Sequence, residues 1–213
     1  MRITVLGAAG NMGRRIMKEA SNRGHKLTAV VRHGSDEPLS EHPLKIIQAD
    51  ATDADDVQLI CCDTEVVVAA TRPQPGSEHE LIKTTALLLK TLSHSATRLL
   101  ISGGAASLKI PDRQQQLLLD DSRYMPRSAL AIGRACLQQY ELCQANYTVD
   151  WTYLSPSALL VPGQRSNNFR VGADELLIDD SGRSVISMED MAVALLDEIE
   201  RARHIRRRFT VGY

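Results

Sequence analysis

The sequence predicts an α/β fold built on a doubly wound parallel sheet, and three observations predict it. Short runs rich in Val, Ile and Leu alternate with helix-length segments over the first two-thirds of the chain, the pattern of stacked βαβ units. The first such run leads straight into a three-glycine turn and then a helix. The last third changes texture, with Pro156, Pro162 and Gly163 breaking the alternation, and reads as a small substrate-side elaboration near the C-terminus at about 156–187.

Residues 2–6 form the first strand, 11–23 a helix and 26–31 the second strand. A loop holding Pro38 and Pro43 replaces most of the second crossover before a third strand at 44–48. A short helix at 53–59, a strand at 65–70, a long helix at 78–93 and a strand at 98–102 follow. A second long helix at 129–145 leads into the strand 150–154, where Trp151 is expected to pack in the interior. Residues 163–187 read as extended pieces around the Asp180-Ser181-Gly182 turn, followed by a helix at 188–200 and a last strand at 208–211. No repeat, low-complexity tract or linker divides the 213 residues, so one domain over 1–213 is the expectation.

Composition narrows the function classes. The chain is 43% hydrophobic and 24% charged with a formal charge of −1, enough to bury a core and without the cationic footprint of a nucleic-acid binder. No apolar run has the length of a membrane span, and Met1 leads into a strand rather than a secretory signal, so a cytoplasmic protein is expected. Cys61, Cys62, Cys136 and Cys143 lack C-x-x-C spacing and read as buried reduced thiols. His25, His33, His42, His79, His94 and His204 share no helical spacing with one another or with a convincing acidic partner, so no metal site is expected and surface positions are. Arg201, Arg203, Arg206, Arg207 and Arg208 read as cations at a helix C-terminus rather than a docking patch for acidic partners. Met12, Met17, Met125, Met188 and Met191 make no stripe, and aromatics are too few for a base-stacking platform.

The turn Gly7-Ala8-Ala9-Gly10-Asn11-Met12-Gly13 lies between a strand and a helix, the context in which glycine spacing carries meaning. Gly7 permits the tight turn, Gly10 lets backbone approach a pyrophosphate, and Gly13 lets the helix pack on the strand with its N-terminal amides toward the phosphates. The turn thus marks a Rossmann-type sheet that holds a dinucleotide, with Ala9, Asn11 and Met12 beside the glycines. A turn that binds nothing, or a flavodoxin-like phosphate loop, is the competing reading.

An NAD site places Asp or Glu at the end of the second strand, where this chain has Arg32. A guanidinium there pairs with a 2′-phosphate, so NADP (NADPH) is expected before NAD, with Arg14 in support. A solvated Arg32 paired with Asp36 is the alternative. Further strand ends complete the groove: Asp50 and Ala51 at the adenine edge, and Ala69, Ala70, Thr71 and Arg72 beside ribose and nicotinamide. A helix N-cap competes for Asp50.

These residues, with Ser102-Gly103-Gly104-Ala105 and the run Trp151-Thr152-Tyr153-Leu154-Ser155-Pro156, resemble the atypical short-chain dehydrogenases with NAD(P)H-binding, NmrA-like domains. Within them the chain is most similar to the NADH-flavin reductase and biliverdin-IXβ-reductase-like branch, over essentially its whole length and including the segment 174–180. The resemblance implies a pyridine-nucleotide reductase acting on flavins or similar conjugated planar acceptors. By motif match it puts Ser102 beside the nicotinamide, Gly103 and Gly104 along the cofactor, and Ser155 and Pro156 on the other side. Ser102 is the one candidate catalytic residue, with a simple turn serine as the alternative.

The chain departs from classical members in lacking Tyr-x-x-x-Lys, in which lysine lowers a phenol's pKa for proton donation to a carbonyl. Tyr124, Tyr140, Tyr147 and Tyr153 are followed four residues later by Ser128, Gln144, Trp151 and Ser157. Flavin-type reduction, in which the cofactor carries the chemistry, fits that departure better than carbonyl reduction. An NADP(H)-sensing regulator without turnover and a non-redox enzyme retaining the nucleotide are the rivals. The substrate pocket is expected between a lid at 104–127, holding Lys109 and Tyr124, and the segment 156–180.

Overall fold

The computed structural model describes residues 1–32, 45–111, 113 and 115–213. Among the described residues the main sheet has eight strands in the order β3-β2-β1-β4-β5-β6-β10-β8. These are β1 (Arg2–Leu6), β2 (Lys26–Val31), β3 (Lys45–Gln48), β4 (Val66–Ala69), β5 (Arg98–Ser102), β6 (Trp151–Ser155), β8 (Arg170–Gly172) and β10 (Arg207–Gly212). All neighbours run parallel except β8, which pairs antiparallel with β10. The order reverses between β1 and β4, the switch point at which doubly wound sheets open a crevice for ligands.

The central strands read as unbroken apolar runs because helices cover both faces of a parallel sheet. Val66–Ala69 are all buried, as are Ile3 to Leu6. On one face α1 (Asn11–Asn22) and α5 (Met188–Arg201) pack together, and Ile16, Met17 and Ala20 meet Met191, Leu195 and Ile199 in one core. The opposite face carries α2 (Ala54–Ile60), α3 (His79–Leu92) and α4 (Leu130–Gln144), with Val57, Leu88, Tyr140 and Trp151 in its core. Trp151 is buried as expected, its indole N–H donating to the Asn146 carbonyl at 3.0 Å.

Local chemistry sets the helix ends. Asp53 caps α2 by accepting from the amides of Asp55 and Asp56. Ser187 caps α5 through the Asp190 amide, and the helix stops at left-handed Ala202.

Observed boundaries fall within a residue or two of the expected ones, with one addition. Residues 156–187 contain a second, two-stranded parallel sheet of β7 (Leu159–Val161) and β9 (Val185–Ser187), short enough to leave no periodicity in sequence. The segment 104–127 is folded as well. It includes the 3-10 turn Leu118–Asp120, abuts a second at Arg127–Ala129, and has its own core of Leu108, Ile110 and Leu118 with Leu176. The loop with Pro38 and Pro43, together with Leu44, Asp36, His33 and His42, lies outside the described residues.

Three expectations are corrected. The arginine run is not one cationic helix end: Arg201 alone closes α5, whereas Arg208 is buried in β10. Two histidines do find carboxylates, across elements rather than along a helix: His25 meets Glu200 at 3.0 Å and His204 meets Glu198 at 2.7 Å. The thiols are not uniformly buried, because Cys62 is exposed.

Candidate functional site

The predicted site residues are brought to one edge of the sheet. Each lies at or just beyond the C-terminal end of β1, β2, β3, β4, β5 or β6, which are consecutive neighbours. Backbone hydrogen bonds lock these ends together. The Ala8 amide donates to Val30 O at 3.2 Å, Ala70 to Leu6 O at 3.1 Å, and Gly103 to Leu154 O at 2.9 Å.

At the turn after β1, Gly7 has φ +73°, and a Cβ there would lie 2.7 Å from the Ala70 carbonyl oxygen. A Cβ on Gly13 would lie 2.0 Å from Gly7 O, so only glycine lets α1 start this close to the turn. Gly10 is the N-cap of α1, and the first turn carries no acidic residue. A glycine cap offers no side-chain acceptor, so the first-turn amides point at whatever lies beyond the helix. Arg14 donates to Ala9 O at 2.7 Å within the same turn. A glycine-lined cradle with outward amides and no carboxylate fits a pyrophosphate.

At the next strand end, Arg32 pairs with Glu80 of α3, Nη2 to Oε2 at 2.6 Å. Sequence reading missed Glu80, because 48 residues separate the pair and only the sheet order joins them. The Asp50 carboxylate accepts from the Thr52 amide at 2.8 Å and hydroxyl at 2.9 Å, closing the turn after β3. Those bonds hold its carboxyl below the usual carboxylate range, helped by the charges of Arg32 and Lys83. The N-cap alternative for Asp50 is thereby corrected, since Asp53 caps α2.

Several candidates at the edge are buried or half-buried. Ala51, Ala69 and Ser155 are buried. Pro156 is buried as well. The Ser155 hydroxyl has no hydrogen-bond partner. Ser102, Gly103, Gly104, Ala70 and Thr71 are half-buried at the groove. The two glycines after β5 have a packing reason: a Cβ on Gly103 would fall 2.1 Å from Cζ of Tyr153, and one on Gly104 2.7 Å from Sγ of Cys136.

Neither Tyr153 nor Tyr140 is set up as a proton donor with a lowered pKa. Tyr153 is fully buried, accepts from the Gly104 amide at 3.1 Å, and has the Cys136 carbonyl within 3.1 Å as its acceptor. Burial pushes its phenol well above the usual range and raises that of Tyr140. The Tyr124 hydroxyl donates to Gly182 O at 3.0 Å, and Tyr147 is exposed. Tyr124 therefore ties the 104–127 segment to the 179–183 turn. Lys109 joins the 104–127 segment to residues 174–176 through backbone bonds to Asp174 and Leu176.

Arg208 is the other residue that sequence reading placed wrongly. Its guanidinium donates to Asp174 Oδ1 at 2.6 Å and to the Ser107 carbonyl at 2.9 Å and hydroxyl at 2.8 Å, while lying 4.4 Å over the Tyr140 ring. A cavity of about 270 Å³ opens there, lined by Ser107, Lys109, Leu117, Tyr140, Asp174 and Arg208. A wider groove of about 370 Å³ crosses the outer face of α1, away from the strand ends, and its carboxylates Glu19 and Glu189 already pair with Arg23, Arg165 and Arg15. Among the described residues no three His, Cys, Asp or Glu side chains are grouped to hold a metal, and no helix is long and apolar enough to cross a membrane.

Residues 7–202 match the family model described as NAD(P)H-binding. The chain belongs to this NAD(P)H-binding family. It is 34% identical to YwnB of Bacillus subtilis strain 168, over 99% of this chain and 98% of that one. Among solved structures, a Bacteroides thetaiotaomicron protein described as a "putative epimerase" superposes with TM-score 0.90 at 34% identity, covering 100% and 96% of the two chains. A Streptococcus pneumoniae TIGR4 protein described as a "putative NADH-flavin reductase" gives TM-score 0.88 at 28% identity, covering 100% and 99%. Sheet order, glycine turn, family model and neighbours agree on a Rossmann-type NAD(P)H-binding fold.

Proposed function

We propose that this family member is an NADPH-dependent reductase of flavin or a similar conjugated planar acceptor. The observation that carries the reading is the single sheet edge on which the glycine cradle, the Arg32 guanidinium and the small-residue ends of β4 and β5 meet without a Tyr-Lys pair.

Gly7, Gly10 and Gly13 set the backbone of the cradle, and the amides of Asn11 and Met12 bind pyrophosphate oxygens with Ala9 beside them. Arg32 binds the 2′-phosphate, and Asp50 and Ala51 border the adenine. Ala69, Ala70, Thr71 and Arg72 let the dinucleotide lie against the end of β4. Gly103 and Gly104 line it across β5, Ser155 and Pro156 bound it across β6, and Ser102 borders the reacting end. Bound NADPH supplies the hydride, and a flavin accepts it together with one proton. The protein's share of that step is to hold donor and acceptor face to face and exclude water, so a tyrosine donor is dispensable. A protein of the cytoplasm with a small-molecule partner, and neither nucleic acid nor membrane, completes the reading.

The absent Tyr-Lys pair also favours a second reading, an NADP(H)-sensing regulator without turnover. Oxidation of NADPH and NADH, followed at the nicotinamide absorbance with FMN, FAD, riboflavin and small quinones, separates the two. Turnover on a flavin supports the reductase. Tight calorimetric binding with no turnover on any acceptor moves the assignment to the sensor. Arg32→Asp is expected to weaken NADPH about tenfold or more, roughly 1.4 kcal/mol, while sparing NADH. Equal loss for both cofactors would remove Arg32 from the 2′-phosphate.

A further inference from the structure

Glu80 holds the same guanidinium that the reading above gives to the 2′-phosphate. Their contact of 2.6 Å joins an Arg32 side chain 54% exposed to a Glu80 side chain 26% exposed. Pairs so open to water add little to folding, so stability does not account for the arrangement. Glu80 sits in the first turn of α3, where the helix dipole favours a carboxylate, and its amide is fixed to the Ser77 carbonyl at 2.9 Å. Asp50 and Lys83 add their charges to the same neighbourhood, since Asp50 feels both Arg32 and Lys83. Among the described residues, two cations and two carboxylates therefore surround the end of β2. Of these carboxylates, Asp50 is committed to Thr52, and among the described residues Glu80 is the one directed at Arg32.

We infer that Glu80 is a cofactor-specificity residue, which orients Arg32 and at the same time opposes the 2′-phosphate, lowering the preference for NADPH over NADH. The inference rests on the proposed role of Arg32. A phosphate monoester carries about −1.5 to −2 charge at neutral pH, and in reaching Arg32 it comes within a few ångströms of the Glu80 carboxylate. The uncharged 2′-hydroxyl of NADH meets no such repulsion. Glu80 thus makes the site tolerant of both dinucleotides, whereas an unopposed arginine would commit it to the phosphorylated one.

Glu80→Gln and Arg32→Ala, titrated calorimetrically with NADPH and with NADH, test this on the full chain. The pair is open to water, so both variants fold. Glu80→Gln is expected to tighten NADPH about fivefold while NADH stays within about twofold, and the gain shrinks at about 0.5 M NaCl as the charges are screened. An unchanged NADPH-to-NADH ratio in Glu80→Gln, or an equal shift of both cofactors, overturns the inference. If Arg32→Ala nonetheless lowers that ratio, the phosphate role of Arg32 stands without Glu80. If Arg32→Ala leaves the ratio unchanged, the phosphate reading fails and the Glu80 role falls with it.

Discussion

Tyr153 lies directly beneath Gly103, with its ring carbon Cζ 2.1 Å from where a Gly103 side chain would begin, and its hydroxyl accepts from the next amide, that of Gly104. One buried phenol thus sets the height of the backbone after β5, where Ser102 meets the groove. Gly103→Ala is expected to cost about 3 kcal/mol by overpacking, because a fully buried ring has nowhere to move. Urea unfolding measures the loss. Tyr153→Leu combined with Gly103→Ala should lose less than the sum of the single changes, since the pair shares one space.

Arg208 bridges the 104–127 segment and the C-terminal elaboration from inside the sheet. Arg208→Ala leaves the Ser107 carbonyl and Asp174 without their donor and is expected to destabilise by about 3 kcal/mol, with Arg208→Lys recovering only part. In a reductase assay the same change should raise KM for the acceptor more than for NADPH. Equal effects on both would detach the 104–127 segment from the acceptor.

Arg123 grips the Asp121 carboxylate at 2.9 Å through Nε and again through Nη2, pulling its pKa from 3.8 to about 2. A depressed folded pKa means that the stabilisation is complete above the unfolded value and is lost as pH falls through the folded one. Asp121→Asn should therefore cost roughly 1 kcal/mol at pH 7 and almost nothing near pH 2. Unfolding curves at several pH values decide it, and a pH-independent cost would rule out the charge pair as its origin.

Burial pushes the Cys61 and Cys143 thiols up to about 12 and that of Cys136 to about 11, whereas Cys62 is exposed. Since the thiolate is the reactive form, a disulfide reagent at mildly alkaline pH should titrate one fast thiol in the folded chain and four after unfolding. Cys62→Ser should abolish the fast phase.

Much of this arrangement was legible in the sequence, for identifiable reasons. A glycine between an apolar strand and a helix reports a local backbone demand, and Gly7 and Gly13 meet that demand within ten residues of chain. Continuous apolar runs gave the parallel strands because burial on both faces removes alternation. Relationships across the sheet left no such trace. Nothing around Arg32 announces Glu80, and nothing in the arginine run singles out Arg208, whose burial follows from partners 34 and 101 residues away. The strands β7 and β9 have three residues each, too short for a period to register. The N-cap alternative for Asp50 arose because Asp50 and Asp53 both sit where a cap belongs, and only geometry says which one bonds to α2.

The pairing of α1 with α5 also bears on how the chain is made. Ile16, Met17 and Ala20 are covered by Met191, Leu195 and Ile199, whereas the strands beside α1 all come from the first seventy residues. On the ribosome the glycine turn can form early, yet the helix that follows keeps an oily flank exposed until residues 188–201 have emerged. A nascent chain stalled before that point would present a finished cradle on an unfinished support, the kind of surface that chaperones hold and proteases find.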